Sequence, residues 1–336
     1  MRHFHSRLRP LPRRQPITTA VPAPDFQDED EDRNVEAEDL PENLFESFMP
    51  FLFPEDTPPF HGDPGQHLLY ASPQYGDLEI MVPSYPEQGE KSKEVAAGQD
   101  GRVEEGRKLF AHFLWSAAMV VAEGIEDADS FQINPTDAKK DAYDIWNVKG
   151  ESIMELGAGT ALPSLVAALA GASTVAATDH PSSPAFTGAM KFNMEHNLRN
   201  RTPAPATVAI EPHAWGVLDD TFSQKYKGTF TRIIAADCYW MRSQHENLAR
   251  TMQWFLAPGG KVWVIAGFHT SRAVVTDFFE TAYANGFESE RIFERDVVQR
   301  DENDGEIRRE WRPVREDEGP ENRQRWVVVS VLRRKE

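Results

Sequence analysis

Past residue 100 the chain settles into an alternation of short apolar runs and longer amphipathic stretches. Gly106 to Ala122 carries Leu109, Phe113, Ala117, Val120 and Val121 at helical spacing and predicts a helix. Compact apolar runs predict strands over Ser152–Glu155, Thr174–Thr178, Ala206–Ile210, Arg232–Ala236, Lys261–Ala266, Ser289–Phe293 and Arg325–Leu332. Helices are predicted between them at Ala161–Ala170, Pro184–Arg199, Ser243–Phe255 and Arg272–Asn285, with Gly286 placed to end the last. Strands alternating with helices imply an α/β fold, a mostly parallel seven-stranded sheet with helices on both faces. The closing run, R-W-V-V-V-S-V-L, follows another strand without a helix between, so an antiparallel insertion is expected.

The pattern before residue 100 is different. Residues 1–64 are proline-rich and include an acidic run from Asp25 to Glu46, the composition of a disordered extension. Within it Leu44-Phe45 and the Phe48-to-Phe53 cluster are apolar spots able to dock on the domain or a partner. Residues 65–102 read as an N-terminal hairpin and linker. His67 to Pro83 alternates around Gly76-Asp77, as a β-hairpin does, and Glu87 to Asp100 is polar. The main domain is expected over 103–336, starting near Val103. Asp301 to Gln324 is highly charged and reads as an irregular insertion between the last two strands. On composition, removal of everything before about Gly65 is expected to leave ligand binding intact.

The most informative stretch is S-I-M-E-L-G-A-G-T-A-L-P-S, Ser152 to Ser164. An apolar strand ends on Glu155, a turn carries Gly157 and Gly159, a helix follows, and the next strand ends on Asp179. Such a unit holds a nucleoside ligand at the carboxyl edge of a parallel sheet, with the second acid on the ribose diol. A dinucleotide site wants a third glycine, and here Thr160, Ala161, Leu162 and Pro163 follow the turn. Glu155 would also repel a pyrophosphate. A carboxylate there suits a ligand with ammonium and sulfonium charges, S-adenosylmethionine, ahead of a dinucleotide. A glycine turn that serves packing alone is the plainer alternative.

The fourth strand ends A-A-D-C-Y-W, and its tip lies across the switch point from the tip of the first. Asp237 is therefore expected near the reacting methyl group, with Tyr239 and Trp240 offering π faces to a cationic or amine substrate. A helix cap for Asp237 and core packing for the two aromatics are the structural alternatives. Cys238 reads as a small packed residue. Trp215, after the third strand, is placed to cover an adenine ring. Trp115, in the predicted first helix, is placed to close over the ligand, and either Trp also suits a core. Ala257-Pro258-Gly259-Gly260 marks a turn with positive φ. His245 and His269 follow strands four and five, where either can face the substrate mouth.

Charge and cysteine content narrow the setting. The 336-residue chain carries a formal net charge of -18, which disfavours a general nucleic-acid footprint and favours basic protein partners. Its single cysteine excludes an internal disulfide framework and a cysteine zinc site, so no metal is expected. No apolar run approaches a membrane span. A cytoplasmic location is expected, with the nucleus left open. Arg2, Arg7, Arg9, Arg13 and Arg14 precede the first acid, as in a mitochondrial presequence, but Pro10, Pro12 and Pro16 interrupt the helix such a signal needs.

E-L-G-A-G-x-x-L-P-S, W-G after strand three, D-x-x-aromatic after strand four and L-x-P-G-G before strand five together resemble the seven-strand, Rossmann-like class I S-adenosylmethionine methyltransferases. Within these the chain is similar to methyltransferase family 16, which includes protein lysine methyltransferases. A-H-F-L-W-S-A-A, T-D-H-P, F-N-M-E-H-N, S-x-H-E-N-L and G-F-H-T-S-R resemble its fungal subgroup, labelled nicotinamide N-methyltransferase-like, which includes an elongation factor 1-alpha methyltransferase acting on the N-terminus and an adjacent lysine. The resemblance runs from about Gly65 to the C-terminus. It implies that Trp115, Glu155, Gly157, Gly159, Asp179 and Trp215 hold the donor, and that Asp237 and Trp240, with Tyr239 between them, serve the acceptor. Trp240 departs from the usual Phe or Tyr, and F-H-T-S-R from a more histidine-rich pattern. Both departures fall on the acceptor side. A protein lysine or N-terminal amine is the expected acceptor. A nicotinamide-like small molecule and an inactive binding module are the alternatives, and a dinucleotide oxidoreductase is more distant.

Overall fold

The computed structural model describes residues 7–12, 60–84, 111–133, 137–302, 305–316, 318–319 and 325–336. The Asp25–Glu46 run, the Phe48–Phe53 cluster, the Glu87–Asp100 linker and Leu109 lie outside the described residues. Among those described, the strands are β1 (Leu8–Pro10), β2 (Phe60–His61), β3 (His67–Ser72), β4 (Gly76–Met81), β5 (Leu114–Trp115), β6 (Ser152–Leu156), β7 (Thr174–Asp179), β8 (Val208–Pro212), β9 (Phe230–Ala236), β10 (Leu256–Gly267), β11 (Phe287–Arg300), β12 (Glu306–Glu310) and β13 (Trp326–Arg334). The helices are α1 (Ser116–Ile133), α2 (Asp137–Trp146), α3 (Leu162–Leu169), α4 (Ala189–Leu198), α5 (Thr221–Lys225), α6 (His245–Phe255) and α7 (Arg272–Ala284).

The main sheet has the order β12-β11-β13-β10-β9-β6-β7-β8. Strands β8, β7, β6, β9 and β10 are parallel, and β13 inserts antiparallel between β10 and β11. The antiparallel closing strand is as expected, but among the described residues the sheet has eight strands and not seven. The addition, β12, comes from the insertion expected to be irregular: Ile307 alternates with charged neighbours, and Phe293 to Arg295 of a lengthened β11 pair with it. Period-two alternation sends each strand to two cores. Ile153, Ile234, Trp263 and Ile265 pack on one face with α1, α3 and the β3–β4 hairpin. Met154, Ile233, Val262 and Val264 pack on the other with α6 and α7.

Four other differences have identifiable causes. The first helix does not span Gly106–Ala122: Leu114-Trp115 are extended and pair with Phe60-His61, so α1 starts at Ser116. It runs on past Ala122, and Glu123 and Glu126 are buried in it through ion pairs with Arg7, Arg295 and Arg300. Helix α2 had no predicted counterpart. Its Trp146 lies over Gly124, where an added Cβ would come within 2.6 Å of the indole. The helix expected from Pro184 is broken at Gly188, whose φ is 139°, leaving a 3₁₀ turn before α4.

The extension also needs correction, because residues 7–12 and 60–64 are not disordered. Strand β1 adds to β3 antiparallel, making a three-stranded sheet with β4, and β2 pairs with β5. Arg7 pairs with the buried Glu123 and Glu126. The hairpin is clamped from the other side by α4: Asn193 and Asn197, one turn apart, each accept and donate a hydrogen bond on the β4 backbone.

Candidate active site

The chain crosses from one half of the parallel sheet to the other between β6 and β9, the switch point at which open α/β sheets bind ligands. A cavity of about 370 Å³ opens there. Its lining comes from Phe113 and Trp115 of the segment before α1, Gly157 and Gly159 after β6, Asp179 and His180 at β7, His213 to Trp215 after β8, and Asp237, Cys238, Trp240, Met241 and Gln244 after β9.

The turn after β6 is built for close approach. Gly157 and Gly159 hold φ of 61° and 52°, the left-handed region that favours glycine. An added Cβ at Gly157 would meet Cys238 Sγ at 2.9 Å and the Trp215 ring at 3.4 Å. At Gly159 it would meet nothing within 4 Å, so the bare backbone faces open space. Asp179 braces the turn from β7: its Oδ2 accepts the Gly159 N–H at 2.9 Å and its Oδ1 the His180 N–H at 2.7 Å. A carboxylate oxygen can accept more than one hydrogen bond, so the same group also suits a ligand hydroxyl.

Glu155 lies elsewhere than expected. It is buried and does not line the cavity, so it is not placed to meet the ligand's cationic groups. Its Oε2 accepts the backbone N–H of Ser164 at 3.0 Å and the Ser164 hydroxyl as well. It therefore ties β6 to the first turn of α3, where a carboxylate satisfies an otherwise orphaned donor. Burial pushes its carboxyl up to about 8 against the pull of the Ser164 bonds.

Asp237 occupies the expected tip of β9 in a left-handed conformation, φ 55°. Its Oδ1 accepts the Gly267 N–H at 2.7 Å, and the Ala117 N–H at the start of α1 bonds it too. Burial pushes its carboxyl up to about 7, although both backbone bonds favour the charged form. Trp240 lines the cavity. Tyr239 does not: its ring packs on Phe278 at 4.3 Å and its hydroxyl donates to the Ala235 carbonyl, so it offers no face to a substrate. Cys238 packs as expected, its thiol donating to the Leu156 carbonyl. Trp115 lies in β5 and stacks on His269 with ring centroids 4.7 Å apart. His269 is buried behind it, 3.9 Å from Asp237, and His245 is locked between Asp277 and the Tyr239 carbonyl, so neither faces the mouth. Among the described residues no His, Cys, Asp and Glu side chains cluster as metal ligands would.

A lysine methyltransferase family model matches residues 101–285. The chain belongs to the lysine methyltransferase family. It is 27% identical over 263 residues to protein N-terminal and lysine N-methyltransferase efm7 of Schizosaccharomyces pombe, covering 76% of this chain and 88% of that one. It is 30% identical over 202 residues to the protein of the same name from Yarrowia lipolytica, covering 55% and 68%. Among solved structures it is similar to magnesium protoporphyrin IX methyltransferase of Synechocystis, with bound S-adenosylhomocysteine, at TM-score 0.39 and 12% identity over 65% of this chain and 85% of that one.

This lysine methyltransferase family uses S-adenosylmethionine, and the cavity fits that donor. Asp179 suits the ribose diol, the open space at Gly159 admits a ligand against the backbone, and Trp215 offers a flat wall beside Gly157 for the base. Phe113, His180, His213, Met241 and Gln244 also line the cavity and were not singled out as ligand contacts from the sequence. All but Phe113 follow closely on a strand end, which is the signal that could have found them. Phe113 reads as one more position of a helical stripe until the backbone before α1 is seen to be extended.

Proposed function

We propose that this methyltransferase acts on a protein amine, a lysine side chain or an N-terminal amino group, with elongation factor 1-alpha as leading candidate by resemblance. The observation that carries the reading is Asp237, a buried carboxylate with its titration near neutrality, in a cavity that Phe113, Trp115 and Trp240 also line. The bound donor supplies a methyl carbon on a sulfonium, which an amine lone pair takes in line as the carbon–sulfur bond breaks toward sulfur. The protein's part is alignment and exclusion of water. The apolar mouth disfavours an ammonium, which lowers its affinity for its proton. Asp237 orients the amine and receives that proton. The two yeast relatives are named for N-terminal and lysine methylation, and the net charge of -18 favours a basic protein segment.

Incubation of the full chain with radiolabelled donor, purified elongation factor 1-alpha and a whole-cell extract tests this. The expected result is label in protein, mapped by mass spectrometry to a lysine or terminal amine. Labelled nicotinamide with no labelled protein would install the small-molecule reading. Donor binding with no label in either would make the chain a binding module.

A further inference from the structure

We infer that Phe60 is a positioning residue of the methyl-transfer site, so that the chain before the main domain completes the catalytic cavity. Two-residue strands are marginal by themselves, and β5 has β2 as its only strand partner among the described residues. Yet β5 and its neighbour carry Trp115 and Phe113, which line the cavity together with Trp240. Phe60 is paired in register with Trp115, and their rings meet edge-on at 5.7 Å. Its ring also lies 4.3 Å from that of Phe113, which in turn meets Trp115 edge-on at 6.2 Å. The three rings form one cluster, and Phe60 does not itself line the cavity. A hydrogen bond between His61 Nε2 and Ser116 Oγ, 3.1 Å long, holds the same segment to the first residue of α1. Aromatic clusters of this geometry favour one relative arrangement of their rings. Phe60 therefore acts through Phe113 and Trp115, holding the wall that an acceptor must pass. The inference rests on the protein-amine reading only for the choice of acceptor.

The test uses the full chain labelled with 5-fluorotryptophan, the Trp115 fluorine line being assigned with Trp115→Phe. In Phe60→Ala the Trp115 line is expected to shift or broaden while lines of the core tryptophans stay put. Turnover on elongation factor 1-alpha at saturating donor is expected to fall about tenfold, with Phe60→Tyr restoring both readouts. If Phe60→Ala lowers the melting temperature enough to blur every line, Phe60→Leu decides, because it keeps the bulk and loses the ring. A parent-like Trp115 line in Phe60→Leu overturns the inference, as does parent-like turnover in a folded Phe60→Ala. If the parent labels no protein, the protein-amine reading fails, and the Trp115 line alone still decides the role of Phe60.

Discussion

Asp237 and Asp179 are both carboxylates at strand tips, and their surroundings assign them opposite tasks. Asp179 accepts the backbone N–H groups of Gly159 and His180, which hold it beside the glycine turn where it can meet hydroxyls. Asp237 is buried enough that its carboxyl titrates near 7. Asp237→Asn keeps the shape and removes the charge. It is expected to lower turnover about a hundredfold, while calorimetry finds affinity for S-adenosylhomocysteine within about twofold of the parent. Parent turnover should rise with pH through about 7, as Asp237 loses its proton, and the Asn variant should lack that step. Asp179→Ala should do the reverse, weakening donor affinity about tenfold or more because charge-assisted hydrogen bonds are lost. Equal loss of donor affinity in both variants would undo the division. The rank of these two acids was legible in the sequence because strand ends are legible. The task of Tyr239 was not: whether a side chain after a strand turns to the cavity or to the core depends on φ at Asp237 and on Phe278, far along the chain.

At the scale of elements, the site is held by contacts between strand ends and helix starts. Glu155 joins β6 to α3, Asp237 joins β9 to β10 and α1, and Asn193 and Asn197 join α4 to the hairpin. A network of Arg272, Arg309, Glu294 and Glu318 similarly fastens the segment after β12 to the start of α7, with the Arg272 guanidinium over the Phe268 ring. Glu155 makes the element scale testable. Its carboxyl sits at about 8 when folded, against an ordinary value of 4.5. Between those pH values the folded chain holds the proton and the unfolded chain does not, so this group's contribution is fullest below about 4.5 and is lost as pH rises through 8. Glu155→Gln imitates the protonated form. Its melting temperature relative to the parent should therefore climb from pH 5 to pH 8 in calorimetry. A difference that stays constant would mean that Glu155 is charged in the fold, its hydrogen bonds from Ser164 outweighing its burial.

At the scale of the whole molecule, the described residues before the main domain are structural. Arg7 reaches Glu123 and Glu126 on α1, and Glu123 also receives Arg295 and Arg300 from β11. Burial would raise the Glu123 carboxyl, but the three arginines outweigh it and hold it down at about 2. Glu126 has Arg7 alone among them, and burial pushes it up to about 7. Arg7→Ala should cost about 1–3 kcal/mol by leaving a buried acid short of its partner, a loss of several degrees in melting temperature. Arg7→Lys should recover part of it. Removing all residues before Gly65 takes away Arg7, β1 and Phe60 together, and should cost more stability than Arg7→Ala and lower turnover as well. A truncated chain with parent melting temperature and parent turnover would return this segment to the dispensable tail that its composition suggests.

Composition and periodicity by themselves determined the alternation of the central strands and helices, the antiparallel closing strand and the tips at which chemistry sits. These follow from local rules: period two for strands, helical spacing for helices, and a fixed handedness for crossovers. The E-L-G-A-G turn and the acids at Asp179 and Asp237 were readable for the same reason, since each is a short-range pattern bound to a strand end. Only the tertiary structure decided which acids touch the cavity. Glu155 turns to Ser164, and the helix runs on through Glu123 and Glu126 because arginines distant in sequence make the burial of these two acids tolerable. Likewise only the fold brings Phe60 beside Trp115, 55 residues later, through a strand pair too short for any local pattern to announce.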